Sequence, residues 1–275
     1  MGYDLMNEPW AGMEWQDCLL TGCRQTYPKE LQPAYTKGLR AVRKADKRNI
    51  VWWEAQQFTA GQKLDSFYTR VSGERNLGFT YHNYCPDVFF ESQGIPGGNV
   101  DNCADFTDDR NAHGIKQGRE MGAVPFLSEF GATDNTDAIG IDLDGADRAL
   151  MSWTYWAYKF WNDPTTADGA QGMFRDDAQL SSVKRAKLRT LVRTYPQAIA
   201  GTPTRISYRP ETGRFVFSYR PNRVTAPTRI FVSPIGSPRY RVKVTNGKVT
   251  KRKGRYVHIQ PKRRTNPVRV VITRR

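Results

Sequence analysis

The hydrophobic period of this chain changes once, near residue 200, and no other feature narrows the possible folds as much. Up to that point, short strands read at 4–6, 49–53, 77–81, 123–128 and 151–158, largely apolar and continuously so at 50–53, alternate with stretches of helical spacing at 29–46, 111–121, 144–150 and 179–195. Strand-helix alternation of this kind predicts a parallel sheet with right-handed crossovers, buried on both faces. Beyond residue 200 the period falls to two, with strands read at 205–208, 214–219, 229–232, 240–244, 256–259 and 268–272 and hairpin turns read at Glu211-Thr212-Gly213 and Asn246-Gly247. The pattern predicts an α/β domain over 1–200 and a small all-β sandwich over 201–275, joined by a linker at 198–204 rich in small residues and proline. Residues 10–28, 61–75 and 86–110 read as loops, the last acidic and glycine-rich and so suited to a rim that faces substrate.

Two strand ends carry the chemistry. The first run stops at Asn7-Glu8-Pro9, because proline cannot continue the hydrogen-bond ladder and bars helix at the residue before it. The fourth run ends in Glu129-Phe130-Gly131. Strand tips at the C-terminal face are where (β/α)8 barrels hold their catalytic groups. A pair of carboxylates on two such tips is what glycoside hydrolysis needs, one as acid/base and the other as nucleophile or water-activating base. Glu54 also ends a strand, as a polar rim residue with no assigned role.

The segments GYDLMNEP (2–9), IVWWEAQQF (50–58), FTYHNYCPD (79–87), FLSEFGA (126–132), SWTYWAYKFW (152–161) and RTYPQAIAGTP (193–203), in this order, resemble the C-terminal part of glycoside hydrolase family 5, most closely its endoglycoceramidase and glucosylceramidase-like branch. The resemblance implies about five strand-helix units of a (β/α)8 TIM barrel followed by a β-sandwich. It begins at the family's fourth barrel strand, so the first three strands, with the arginine and histidine that the family places there, fall outside these residues, and the chain would be part of a longer one, or inactive alone, or completed by a partner that supplies the missing half. It implies a retaining β-glycosidase for glycolipids such as glycosylceramides, needing no cofactor and no metal. Glu8 takes the acid/base position and Glu129 the nucleophile position, with carboxyl groups ~5 to 5.5 Å apart. Asn7 would hold the sugar 2-hydroxyl, His82 and Tyr84 would border the carboxylates, and Trp156 would be the sugar platform of the last strand. The alternative reading is a non-catalytic remnant whose basic β domain binds anionic surfaces or polyanions.

Charge is divided as sharply as period. Residues 1–201 hold 22 Lys+Arg and 26 Asp+Glu, whereas 202–275 hold 20 and a single acid, Glu211. The basic residues are spread over all the tail's strands rather than gathered with a nucleic-acid motif, so no nucleic acid is expected, and contact with an anionic lipid surface is the partner the charge suggests. Four cysteines are spaced as two local pairs, Cys18 with Cys23 and Cys85 with Cys103, although spacing alone leaves the connectivity, or four free thiols, open. Disulfides would imply an oxidising, extracellular setting. No signal peptide precedes the first strand and no run approaches the ~20 apolar residues of a membrane span.

Overall fold

A computed structural model describes residues 2–92, 95–162, 168–236 and 239–275. The chain divides into two compact units, 1–177 and 178–275. The expected boundary at 200 and the linker at 198–204 therefore move toward the N-terminus. The reason is strand pairing: β5 (Tyr195–Ala198) and β6 (Gly201–Arg209) are both ladder members of the second unit.

The first unit is built on four parallel strands in sequence order, β1 (Gly2–Asp4), β2 (Ile50–Glu54), β3 (Leu77–Asn83) and β4 (Val124–Phe130). Every residue of β3 is buried, as a central parallel strand covered on both faces requires, whereas all three residues of β1 are exposed at the sheet edge. The run at 151–158, expected as a fifth strand, pairs with the sheet only through bridges at Leu127–Trp153 and Gly131–Trp156. Helices α1 (Trp15–Thr21), α2 (Gln32–Ala45), α3 (Pro86–Ser92), α4 (Asn102–Met121) and α5 (Thr136–Ala149) fill the connections. The sheet has the sequential, all-parallel order of part of a TIM barrel. Helix α4 lies unusually close to β3, because a Cβ at Gly114 would run into the Tyr81 ring.

Several expected boundaries shift. The loop at 86–110 is mostly helix, taken up by α3 and the first half of α4, and α5 begins eight residues before the expected 144 because Asn135 caps it with hydrogen bonds from the Asp137 and Ala138 amides. The expected helix at 179–195 shrinks to α6 (Arg185–Leu191). Both cysteine pairs are disulfides, Cys18–Cys23 and Cys85–Cys103.

The second unit is a sandwich of two four-stranded antiparallel sheets. One runs β10 (Gly247–Lys253), β11 (Tyr256–Pro261), β8 (Thr228–Phe231), β5; the other runs β6, β7 (Arg214–Pro221), β12 (Val268–Arg274), β9 (Tyr240–Thr245). Inward residues of both sheets form one core, including Phe215, Phe217 and Val270 from one and Ile230, Val257 and Ile259 from the other. Glu211–Gly213 does close a hairpin, since β6 and β7 pair up to Arg209–Arg214. Asn246-Gly247 does not: β9 pairs with β12 and β10 with β11, so this turn carries the chain from one sheet to the other, with Asn246 at φ 58°. Among the described residues no helix is long and apolar enough to cross a membrane.

Candidate active site

The C-terminal ends of β1 and β2 are held by buried hydroxyl groups. Tyr35 of α2 donates to the Met6 carbonyl (3.1 Å) and accepts from the Glu54 amide (3.1 Å), tying the end of β1 to the end of β2. Tyr68 donates to the Glu54 carbonyl (2.8 Å) and Tyr27 accepts from the Gln56 amide (2.9 Å). Tyr35 and Tyr68 pack against Trp53 and Tyr27 against Tyr68, so the backbone polar groups that would be orphaned at strand ends are satisfied inside an apolar layer.

Glu8 lies four residues past β1 with a left-handed backbone (φ 41°), and its amide donates to Glu54 Oε1 (3.0 Å). A non-glycine residue in that region is strained, and the buried Glu54 carboxylate is what holds it there. Glu129 reaches the same place from β4 by a register shift. Tyr81 pairs with Leu127 but His82 pairs with Glu129, so Ser128 is the extra residue of a bulge. Side chains alternate across a sheet, so without that bulge Glu129 would point to the opposite face. Gly131, at φ 102°, then turns the chain against the Tyr155 ring, where a Cβ would collide.

His82 stands between three carboxyl groups. Its Nδ1 is 2.8 Å from Glu8 Oε1 and 3.2 Å from Glu129 Oε2, and its Nε2 is 3.1 Å from Glu54 Oε1. The Tyr84 hydroxyl donates to Glu129 Oε2 (2.8 Å). Burial pulls the imidazole pKa down, but the hydrogen bond with Glu8 and the charges of Glu54 and Glu129 outweigh it and leave it raised. Burial pushes Glu54 up to about 8 against the opposing pull of His82, and it also raises Glu129, where His82 and Tyr84 oppose it. The Tyr84 phenol is pushed far up by burial and by the Glu129 charge, so it stays a donor. His82, Glu54 and Glu129 therefore hold their protons to higher pH than they would in water.

One donor atom each from Glu8, His82 and Glu129 lies within 4.8 Å of the others, a spacing that would admit a cation. Those atoms already serve one another, because the Nδ1 that a metal would need faces both carboxylates at hydrogen-bond distance.

Asn7, Glu8, Tyr84, Glu129 and Trp156 line a cavity of about 700 Å³, together with Gln57 and Gln62. Its remaining wall is apolar, formed by Phe58, Pro86, Phe89 and Phe90. Trp156 is fixed by an indole N–H bond to Gln171 Oε1 (2.6 Å). Of the six residues expected to act in catalysis or substrate binding, only His82 lies off the cavity wall: it is 3 % exposed and sits behind the carboxylates. Glu54, 2 % exposed, completes the cluster from below. The signal for it was its place at a third strand tip, equivalent to those of the other two glutamates.

Residues 1–162 match the family described as cellulase (glycosyl hydrolase family 5), and residues 193–272 match the glycoside hydrolase family 5 C-terminal domain. The chain is 31 % identical over 282 residues to endoglycoceramidase I of Rhodococcus hoagii (strain 103S), covering all of this chain and 53 % of that protein. It is 25 % identical to an endoglycoceramidase of Cyanea nozakii, over 80 % of this chain and 41 % of the other. The solved endo-glycoceramidase II from Rhodococcus sp. in its ganglioside GM3 complex superposes with a TM-score of 0.78 at 25 % identity, over the whole of this chain and 59 % of that one. The chain thus spans about half the length of the curated relatives it matches. With the parallel sheet, the paired strand-end glutamates and the β-sandwich all falling within the matched stretches, the chain belongs to glycoside hydrolase family 5.

Proposed function

We propose that this chain carries the catalytic carboxylates of a retaining β-glycosidase acting on glycolipids of the glycosylceramide class. The observation that carries the reading is the pairing of Glu8 and Glu129 across a cavity with one polar and one apolar wall. An oxygen of each lies within 4.8 Å of the other, a closeness that favours the retaining arrangement, with carboxyl groups ~5 to 5.5 Å apart, over the ~6.5 to 9.5 Å of inverting enzymes. An apolar wall beside the carboxylates suits a lipid aglycone, and the similar proteins are named endoglycoceramidases.

In this reading Glu129 attacks the anomeric carbon while Glu8 gives its proton to the departing glycosidic oxygen. Tyr84 and His82 hold Glu129 Oε2, which leaves Oε1 aligned for attack. Glu8, now ionised, then takes a proton from water, and that water displaces Glu129 from the glycosyl ester. His82 bonds to both carboxyl groups and stabilises whichever is negative at each stage. Asn7 would meet the sugar 2-hydroxyl and Trp156 its apolar face. Two disulfides favour an extracellular location, and the basic second unit favours contact with anionic lipid.

The test is turnover of a fluorescent glycosylceramide and of an activated aryl β-glycoside by the chain and by any longer native chain that contains it. Glu129→Gln is expected to abolish both reactions. Glu8→Gln should retain the first step on the activated glycoside and accumulate a glycosyl ester on Glu129, visible by mass spectrometry. Full activity in either variant would end the assignment.

A further inference from the structure

We propose that the outer face of the β10–β11–β8–β5 sheet docks onto anionic lipid bilayers. The proposal deepens the glycolipid reading, which supplies its purpose, but it stands on a different part of the molecule. Pairing places Tyr195, Phe231 and Tyr256 side by side across three strands, and because Ile230 and Val257 next to them are in the core, these three rings point outward. Their centroids are 5.4 and 5.7 Å apart, and Tyr195 is 44 % exposed. The same row ends in Lys253, and the next outward row runs Arg229, His258, Lys251. Arg229, Lys251 and Lys253 are exposed and take part in no ion pair among the described residues.

A face that is merely solvated mixes charges of both signs and hides its aromatic rings. This one does neither. Residues 178–275 hold 25 of the 42 Lys+Arg and one acid, Glu211, at the β6–β7 hairpin of the other sheet. Donors without acceptors suit phosphate and carboxylate headgroups, and rings among cations are the composition of a membrane interface. Recognition of a sugar is less well served, since Arg229, Lys251 and Lys253 offer hydroxyl groups no carboxylate. A base-stacking platform needs open parallel ring faces. Here the rings lean on one another at 39° and 61°, and the Arg229 guanidinium covers Tyr256 at 5.5 Å.

The experiment is co-sedimentation of the full chain with vesicles of phosphatidylcholine alone or enriched in phosphatidylserine, at ~0.1 M salt and at about 1 M, where screening shortens to ~3 Å. Binding is expected only to the anionic vesicles and is lost at high salt. The triple variant Arg229→Gln, Lys251→Gln, Lys253→Gln should weaken it about a hundredfold, at ~1 kcal/mol per cation near the surface. Equal charge removal at Lys262, Arg263 and Arg264, on the turn after β11, should weaken it far less. Both variants should keep the thermal unfolding and the aryl glycoside turnover of the parent chain, so a failure of catalysis and a failure of docking are read separately. Binding that ignores anionic lipid, equal loss in the two triple variants, or tight binding of a single-stranded oligonucleotide or sulfated glycan without vesicle binding would overturn the proposal.

Discussion

Asp142 offers the most direct check on how the strand that carries His82 and Tyr84 is held. This α5 carboxylate is 6 % exposed, and its Oδ1 accepts from Asn83 Nδ2 (2.6 Å) and from Thr107 Oγ1 (2.7 Å). Asn83 is the residue of β3 between His82 and Tyr84, so the buried carboxyl anchors the tip of the strand from behind. Burial lifts Asp142 from the ordinary 3.8 to about 7, although the two hydrogen bonds pull the other way. For an acid raised in the folded state, the native protein keeps a proton that the unfolded chain has released between those two values. Stability therefore falls as pH rises through that window, by ~1.4 kcal/mol per pH unit, or about 4 kcal/mol in all. Asp142→Asn keeps an oxygen acceptor and never ionises. Its stability should be close to that of the parent at about pH 4 and greater by up to about 4 kcal/mol at about pH 8. Asp142→Ala, which also never ionises, removes the acceptor of the Thr107 hydroxyl and one acceptor of Asn83 Nδ2, which keeps its bond to Thr107 Oγ1 (3.0 Å); it should be less stable than the parent at about pH 4, by ~1 to 3 kcal/mol per lost bond, and that deficit should shrink by up to about 4 kcal/mol at about pH 8. All seven tryptophans lie in residues 1–177, so urea unfolding followed by tryptophan fluorescence reads the relevant unit. Parallel stability–pH curves for the parent and Asp142→Asn would refute the reasoning, because every other titrating group cancels in their difference.

Three further outcomes follow from the same geometry. Glu54→Gln removes a charge that raises His82, so the imidazole should titrate at lower pH, as followed by NMR of the His82 ring; an unmoved titration would mean that Glu54 does not govern the proton on His82. Tyr84→Phe removes a hydrogen bond to a charged group worth ~1.5 to 3 kcal/mol, so kcat should fall about tenfold to a hundredfold with little change in KM, as measured by steady-state kinetics on an aryl glycoside. Replacing both Cys85 and Cys103 by Ser opens a loop with a sequence separation of 18 and should cost about 3 kcal/mol in urea unfolding, whereas a loss below the error of the measurement would show the loop to be held by other contacts.

What could be read from the amino-acid order, and what could not, divides on which faces are apolar. The strands were legible because a parallel strand covered on both sides reads as a near-continuous apolar run, as in Ile50-Val51-Trp52-Trp53. The first half of α4 was not, because the face it buries is partly polar: Thr107, Arg110 and Asn111 point inward with Phe106. Each has a specific partner. Thr107 binds Asp142, Arg110 donates to the Leu64 carbonyl, and Asn111 accepts from Tyr81. A polar residue on a buried face reads in sequence as a solvated one, so a helix held by such partners looks like a loop. The site shows the same division. Glutamates at strand ends were visible as residue types in a pattern. The bulge at Ser128 that turns Glu129 toward His82, and the inward place of His82 itself, depend on which residue pairs with which across β3 and β4. Register of that kind comes from the packed sheet. For that reason moving the bulge, by inserting or deleting one residue in β4, should disrupt this site more completely than replacing any one of its side chains except the two glutamates themselves.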